Sequence, residues 1–222
     1  NALKYMKQNN INVISVFDDD YPQMLKEIYA PPICLYIKGN LQLLKMQNIS
    51  LIGCRKCSQY GKKTAYYFSY NLSKAGFNIV SGLARGIDSY SHIGCLAAKG
   101  KTIAVMGSGL DNIYPKENEQ LVNEIIKQNG AIITQYPLGT KPEKNNFPAR
   151  NRIISGLSKA VLVIEARAKS GTLITVDFAL EQGKDVFAVP GNINSANSVG
   201  TNELIKQGAI PVCNYKDILD NI

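Results

Sequence analysis

The feature that most constrains the fold is a repeated unit made of an apolar segment, a polar loop, an amphipathic helix and a glycine. The unit recurs from residue 49 onward, and its helix-ending glycines are Gly76, Gly100, Gly130, Gly183 and Gly208. The apolar segments are nearly continuous rather than alternating, which is typical of parallel strands covered on both faces. The pattern predicts an α/β fold, an extended Rossmann-like open sheet, mostly parallel, with helices on both faces.

The strands of this sheet are predicted at residues 49–52, 77–80, 102–106, 131–134, 160–164, 185–189 and 210–213. Residues 1–44 differ, because Asp18–Pro22 and Ala30–Pro32 break them into short pieces ahead of one further strand at 33–37. We therefore expect residues 1–44 to form an extension packed on a main domain of residues 45–222. The chain starts at Asn1 and Ala2 rather than at methionine, so we expect a vector remnant there and missing flanking domains.

Composition limits the class of protein and its compartment. The 222 residues contain no apolar run near the ~18 residues that a membrane helix needs, which predicts a soluble cytoplasmic protein without membrane contact. The five cysteines are odd in number and scattered, as expected in a reducing compartment. Cys54 and Cys57 have the spacing of a metal or redox pair, but no second pair follows, so a structural role is favoured and no metal is expected.

The net charge of +8 favours nucleic acid as the partner over a merely solubilising role. The segment Ser81–Asp88 adds a specific place, because it joins the predicted strand at 77–80 to a helix. Free backbone N–H groups at a helix start bind anions, and Arg85 lies among them. This segment is therefore predicted to bind phosphate.

Other loops at the carboxyl ends of the predicted strands also combine glycine or polar residues with basic ones, and ligands bind at these ends in open sheets. The basic residues are Arg55, Lys56, Arg85, Lys144, Arg150, Arg152 and Lys169. Each glycine alone is explained by a tight turn, and each basic residue by a solvated face. Arg150 or Arg152 has a further interpretation, internal pairing with Glu165 or Asp111. Together the loops predict a phosphate-binding surface.

Cofactor and catalytic motifs are absent from the sequence. Gly53 is followed by no further glycine before Gly61, which excludes the dinucleotide fingerprint, and no Walker-type phosphate loop occurs, so no cofactor is expected. His92 and Asp88 are four residues apart and are expected to form a polar pair at the helix start rather than a general base. Glu165 is the best candidate acid, although a lone carboxylate there more often organises arginines.

Several motifs occur together in one order: SGLARGID at 81–88, GSGLDNIYP at 107–115, FPARNRII at 147–154, SGTLIT at 170–175 and GTNELIKQGA at 200–209. In this the chain resembles the bacterial DNA-processing protein A family, also called Smf, from about residue 18 to 209. The resemblance implies a non-enzymatic protein that binds and protects single-stranded DNA, self-associates as a homodimer, and helps to load a RecA-type recombinase in natural transformation.

The resemblance also implies where the DNA binds. Gly53 and Arg55 match the family's first loop, and Lys144 and Phe147 match its basic and aromatic DNA-facing segment. The predicted single-stranded-DNA site comprises Gly53, Arg55, Lys56, Ser81, Gly82, Arg85, Gly86, Lys144, Phe147, Arg150, Asn151, Arg152, Lys169 and Ser170. A base stacked on Phe147 between cations fits sequence-tolerant binding, and a buried core phenylalanine is the alternative.

Two further questions stay open at this point. Tyr66 and Tyr70 share one face of a predicted helix, where they serve either in stacking, in the core or in an interface. The rival function is a Rossmann-like phosphoribohydrolase acting on nucleoside monophosphates. Its PGGxGTxxE motif is not matched, because Pro190-Gly191 is followed by Asn192 and the nearest Gly-Thr pair begins at Gly200.

Overall fold

A computed structural model describes residues 2–222 of the chain. Asn1, half of the expected vector remnant, lies outside the described residues. The described strands are β1 (Ile11–Ser15), β2 (Cys34–Gly39), β3 (Asn48–Ile52), β4 (Asn78–Ser81), β5 (Thr102–Val105), β6 (Ala131–Thr134), β7 (Ala160–Val163), β8 (Asp185–Ala188) and β9 (Ile210–Pro211). The α-helices are α1 (Ala2–Gln8), α2 (Gln23–Lys26), α3 (Gln59–Lys74), α4 (Ile87–Ala97), α5 (Glu119–Lys127), α6 (Asn146–Gly156), α7 (Gly171–Glu181), α8 (Val199–Lys206) and α9 (Lys216–Leu219).

The nine strands of residues 2–222 form one sheet in the order β1-β2-β6-β5-β4-β3-β7-β8-β9. Every pair from β6 to β9 in this order is parallel, whereas β2 pairs antiparallel with β6, and β1 antiparallel with β2. The predicted α/β class and the mostly parallel sheet are confirmed. β1 is a strand that the sequence pattern did not predict, and it extends the sheet together with β2.

Helices cover both faces of the sheet, because the buried side chains of each strand alternate between the two sides. Leu51 of β3 packs with Phe68 and Leu72 of α3, while Ile52 packs in the cluster that contains Ile153 of α6. The helices α3, α4, α5 and α9 thus lie on one face, and α2, α6, α7 and α8 on the other. Such burial on both sides explains the continuous apolar runs of the central strands.

The helix ends follow the predicted glycine rule in part. Gly76, Gly183 and Gly208 follow α3, α7 and α8 with φ of 98°, 65° and 106°. After α4 the residue with left-handed backbone geometry is instead Lys99 (φ 58°), and after α5 it is Asn129 (φ 60°). Each lies one position before the expected glycine.

Candidate nucleic-acid interface

A large cleft lies where the order of connection along the sheet reverses. The chain passes from β3 through β4 and β5 to β6 on one side, and then returns to place β7 on the other side of β3. Loops that follow two strands diverge at such a point, which leaves a crevice at the carboxyl ends of the strands. Here it is a cleft of about 760 Å³, which we call the strand-end cleft.

Basic side chains line this cleft from three separate parts of the chain. Arg55 and Lys56 follow β3, Lys144 precedes α6, and Arg167 and Lys169 follow β7; all five are exposed. The acidic residue among the described lining residues is Asp88, which is buried. The mouth of the cleft is therefore positively charged and suits a polyanion.

The aromatic part of the cleft is formed by Phe147 and Tyr114. Their ring centroids are 5.6 Å apart, and the Arg55 guanidinium carbon lies 5.3 Å from the centroid of the Phe147 ring. Phe147 is half-buried and rests on Gly107, where an added Cβ would lie 2.9 Å from Cδ1 of the ring. The phenylalanine is thus a cleft-lining ring beside a cation rather than a core side chain.

Arg150 is buried at the cleft, where burial lowers its pKa to about 10. Its Nη1 donates to the carbonyl oxygens of Gly82 (2.8 Å) and Val105, whereas its Nε has no partner among the described residues. Burial also raises the pKa of Asp88 to about 6, against the opposite effect of the Arg150 charge. Arg150 therefore fixes the cleft wall through backbone contacts and keeps one donor unused.

The start of α4 differs from its prediction. Oδ2 of Asp88 accepts the amide N–H groups of Gly82 (3.1 Å) and Ala84 (3.4 Å), and the Ile87 amide donates to the Cys54 carbonyl oxygen. For these three amides the expectation of free groups is wrong, because the Asp88 carboxylate and the Cys54 carbonyl oxygen already accept from them. The expected Asp88–His92 pair is also wrong.

His92 instead lies in the core between α4 and β5. Its Nδ1 is 2.7 Å from the Thr102 hydroxyl oxygen, and its Nε2 is buried without a partner in residues 2–222. Burial, assisted by the positive charge of Arg150, lowers the pKa of His92 to about 3. The imidazole is therefore neutral and is kept away from the cleft.

Glu165 holds the loop that carries Arg55 and Lys56. The buried carboxylate accepts from the Ser58 amide (2.9 Å), from the Ser58 hydroxyl and from Nδ2 of Asn197 (3.3 Å). Ser58 is also the N-cap of α3, accepting from the Gly61 amide at 3.0 Å. The interpretation of Glu165 as an organiser of Arg150 or Arg152 is wrong, since its partners are a serine and an asparagine.

Asn197 completes this arrangement from a distant loop. Its Nδ2 donates to the Lys56 carbonyl oxygen (3.0 Å), and its Oδ1 accepts from Nε of Arg167 (2.9 Å). One buried amide thereby ties two basic loops of the cleft together. The sequence analysis did not identify Asn197, Arg167 or Tyr114 as site residues. The available signal for Arg167 was its position after a strand, and that for Tyr114 was its place in the GSGLDNIYP segment.

The structure brings most of the predicted site residues together. The strand-end cleft is lined by Gly53, Arg55, Lys56, Lys144, Phe147, Arg150, Asn151, Lys169 and Ser170. The remaining predicted residues, Ser81, Gly82, Arg85, Gly86 and Arg152, are not among its lining residues.

Each of the polar residues outside the cleft has an internal partner. The buried Ser81 hydroxyl donates to the Leu51 carbonyl oxygen at 2.6 Å. Arg85 forms an exposed ion pair with Glu117. Arg152 donates to the carbonyl oxygen of Ala30 (2.9 Å) and to Oε1 of Gln135 (2.6 Å). These contacts explain why the basic residues of neighbouring loops do not all face one surface.

The cysteines give no sign of a metal centre. All five have free thiols, and no group of three or more His, Cys, Asp or Glu side chains suited to a metal occurs within the described part of the chain. Burial raises the pKa of both Cys54 and Cys57, which favours the protonated thiols.

No helix in the described residues is long and apolar enough to cross a membrane.

A sequence profile of the DNA recombination-mediator protein A family matches residues 12–222. The chain belongs to this family. It is 43% identical over its full length to the DNA processing protein DprA of Bacillus subtilis and covers 74% of that protein. It is 42% identical to the protein Smf of Escherichia coli, again over all of the chain, and covers 59% of it. The chain thus represents only part of the length of these relatives.

Solved structures of the DNA recombination-mediator family have the same fold. DNA processing protein A of Streptococcus pneumoniae superposes with a TM-score of 0.91 at 42% identity, over 99% of this chain and 77% of the other. The Helicobacter pylori protein, whose structure is described for its single-stranded DNA binding mode, gives 0.85 at 31% identity, over 95% and 94%. A molybdenum cofactor binding protein of Rippkaea orientalis, at 17% identity and TM-score 0.52, shares the fold alone.

Proposed function

We propose that this chain binds single-stranded DNA in the strand-end cleft and acts there as a recombination mediator without catalysing a chemical step. The observation that carries the proposal is the half-buried Phe147 ring flanked by Arg55 and by exposed Lys144 in one cleft. Aromatic platforms among cations are what sequence-tolerant binding of single strands requires. The single-stranded DNA binding mode described for the H. pylori protein supports the same ligand.

Each group has a physical role in this proposal. The exposed cations of the cleft neutralise backbone phosphates, and an unstacked base lies on the free part of the Phe147 ring. A duplex keeps its bases stacked inside, so it gains the electrostatic contribution without the stacking. Binding therefore favours single strands over duplexes.

The wider role follows from the family to which the chain belongs. We propose that bound strands are protected and passed to a RecA-type recombinase during natural transformation, that the protein works as a homodimer, and that it does so in the cytoplasm. Because the chain spans 74% and 59% of the relatives' lengths, these roles belong to the whole protein.

The test is fluorescence anisotropy of labelled oligothymidine titrated with the 222-residue chain at several salt concentrations, with matched duplex as competitor. We expect binding that duplex displaces poorly and that weakens with salt, with a log–log slope of about −0.7 per neutralised phosphate. Arg55→Ala with Lys144→Ala should weaken binding and reduce the slope by about 1.4. Lys127→Ala on α5, whose side chain is 76% exposed, is the matched control.

Unchanged affinity in the Arg55/Lys144 double variant would refute the site. If the wild-type chain binds no single strand but releases a free base from a nucleoside monophosphate, detected by chromatography, the phosphoribohydrolase hypothesis replaces the proposal.

A further inference from the structure

Helix α3 carries a row of two tyrosines flanked by two lysines, next to α4. Lys62, Tyr66, Tyr70 and Lys74 follow one another at intervals of four residues, which places them on one ridge of the helix. The rings of Tyr66 and Tyr70 stack with centroids 6.1 Å apart and planes inclined by 16°. The Lys74 ammonium lies 5.7 Å from the Tyr70 ring centroid, and that of Lys62 lies 5.5 Å from the ring of Tyr90 on α4. We call these four residues the α3 row.

The α3 row is not part of the core. The helix buries Ala65, Phe68 and Leu72 against the sheet, whereas Tyr66 is 39% exposed and Tyr70 is half-buried. Of the three interpretations open from sequence, core packing is therefore excluded for Tyr66, and stacking and an interface remain. Aromatic rings kept at the surface next to lysines need a partner with both flat faces and negative charge to be well used.

The chain segment that contains this row is strongly basic. Residues 51–110 contain eight basic side chains and a single acidic one, Asp88, so this stretch accounts for +7 of the net charge of +8. Asp88 is buried and bonded to backbone amides, so its carboxylate does not interrupt the surface. Lys62 and Lys74 therefore lie in a basic segment, and the nearest acidic residues on this face are Asp217 and Asp220 at α9, beside Tyr215, which contacts Tyr67.

The helix that carries the row follows the cleft wall closely along the chain. Helix α3 starts at Gln59, three residues after Lys56 in the cleft wall. From Lys62 to Lys74 the row rises by about 18 Å at 1.5 Å per residue. That length matches about five nucleotides at the ~3.4 Å spacing of one strand in a duplex, and fewer in a stretched strand.

We propose that the α3 row is a second contact surface for single-stranded DNA, which binds the part of the strand that leaves the cleft. This inference rests on the proposed function of the cleft. Bases stack on the tyrosine rings, and the lysines at each end neutralise phosphates. The row would extend the bound length of each strand and give the protein more contacts with long single strands than with short ones.

The test is the dependence of affinity on oligothymidine length, measured by anisotropy with the 222-residue chain. For the wild type, affinity should keep rising for about five nucleotides beyond the length that fills the cleft. Tyr66→Ala with Tyr70→Ala should remove this second rise in affinity. The affinity for the longest oligonucleotide should fall about ten-fold or more, and the affinity for the shortest should not change. Lys62→Ala with Lys74→Ala should reduce the salt slope for long strands by about 1.4.

Three controls separate the possible outcomes. Tyr66→Phe with Tyr70→Phe keeps the rings and should retain the second rise, which distinguishes stacking from a general loss of structure. Tyr29→Ala removes a tyrosine that is 90% exposed elsewhere and should change nothing. The Arg55/Lys144 double variant should weaken binding at every length, so failure of the cleft and failure of the row are distinguishable.

The α3 proposal alone would be overturned if the affinity of the Tyr66/Tyr70 alanine variant rises with oligonucleotide length as in the wild type, while the Arg55/Lys144 variant binds more weakly. A second result would also overturn the proposal. Light scattering would show that the wild type is a dimer and the alanine variant a monomer, and the affinity of monomeric wild-type protein would show no second rise with oligonucleotide length. In that case the row is an interface between copies of the chain.

Discussion

Replacing Glu165 tests how the cleft is built, because this buried carboxylate connects the loop after β7 with the loop after β3. In Glu165→Ala the Ser58 amide loses its acceptor, and the Ser58 hydroxyl loses a charged one. Asn197 loses the weaker of its two Nδ2 contacts but keeps the Lys56 carbonyl oxygen. The variant thereby removes one side-chain anchor of the loop that carries Arg55 and Lys56, and leaves these two cations in the chain.

The expected cost follows from these contacts. A buried N–H left without an acceptor costs about 1–3 kcal/mol, and each hydrogen bond to a charged group contributes about 1.5–3 kcal/mol. Since the hydroxyl can rotate toward another acceptor and Asn197 keeps one partner, we expect a loss of about 2–4 kcal/mol in the free energy of unfolding. For a chain of this size that corresponds to a Tm lower by roughly 5–15 °C.

Urea denaturation followed by circular dichroism measures this loss, and anisotropy with oligothymidine measures its effect on the cleft. Glu165→Gln keeps the shape but has one acceptor oxygen, so it should fall between the wild type and the alanine variant. Glu124→Ala removes an exposed carboxylate on α5 and should change stability by no more than about 0.5 kcal/mol. A stability loss below 1 kcal/mol together with unchanged DNA affinity would show that the carboxylate does not position the loop.

Three further predictions concern single groups. Phe147→Ala should weaken single-strand binding by about 1–3 kcal/mol without the change in salt slope that loss of a cation causes, as measured by anisotropy. Between about pH 4 and 6 the depressed pKa of His92 makes stability rise with pH, whereas the raised pKa of Asp88 makes it fall, so the two nearly cancel. Asp88→Asn should therefore expose the His92 contribution, a loss of about 1.4 kcal/mol per pH unit as pH falls from 6.5 toward 3, seen in urea titrations; a flat profile would contradict it. Arg85→Ala should leave DNA affinity within about two-fold, since Arg85 is paired with Glu117 outside the cleft, and a larger loss would place it on the DNA path.

The central strands could be predicted from the sequence because their signal is local. Residues 131–134 are a continuous apolar run, and the structure has β6 over the same residues, Ala131–Thr134. Predicted strands at 49–52 and 160–164 likewise agree with β3 and β7 within a residue. The edge strand β1 was not predicted, because it buries only part of each face and shows the pattern buried-exposed-exposed-buried-intermediate. Its pairing with β2 is decided by tertiary packing.

The sequence by itself determined the class of the fold and the placing of Arg55, Lys144 and Phe147 near one edge of the sheet, since carboxyl ends of parallel strands meet there. Only the tertiary structure decided which basic groups face the cleft and what holds them. The Lys56 carbonyl and Asn197 are 141 positions apart, and Arg150 meets Gly82 across 68. Hydrophobic periodicity is a local property of the sequence, whereas the partner of a buried polar group depends on how distant segments pack.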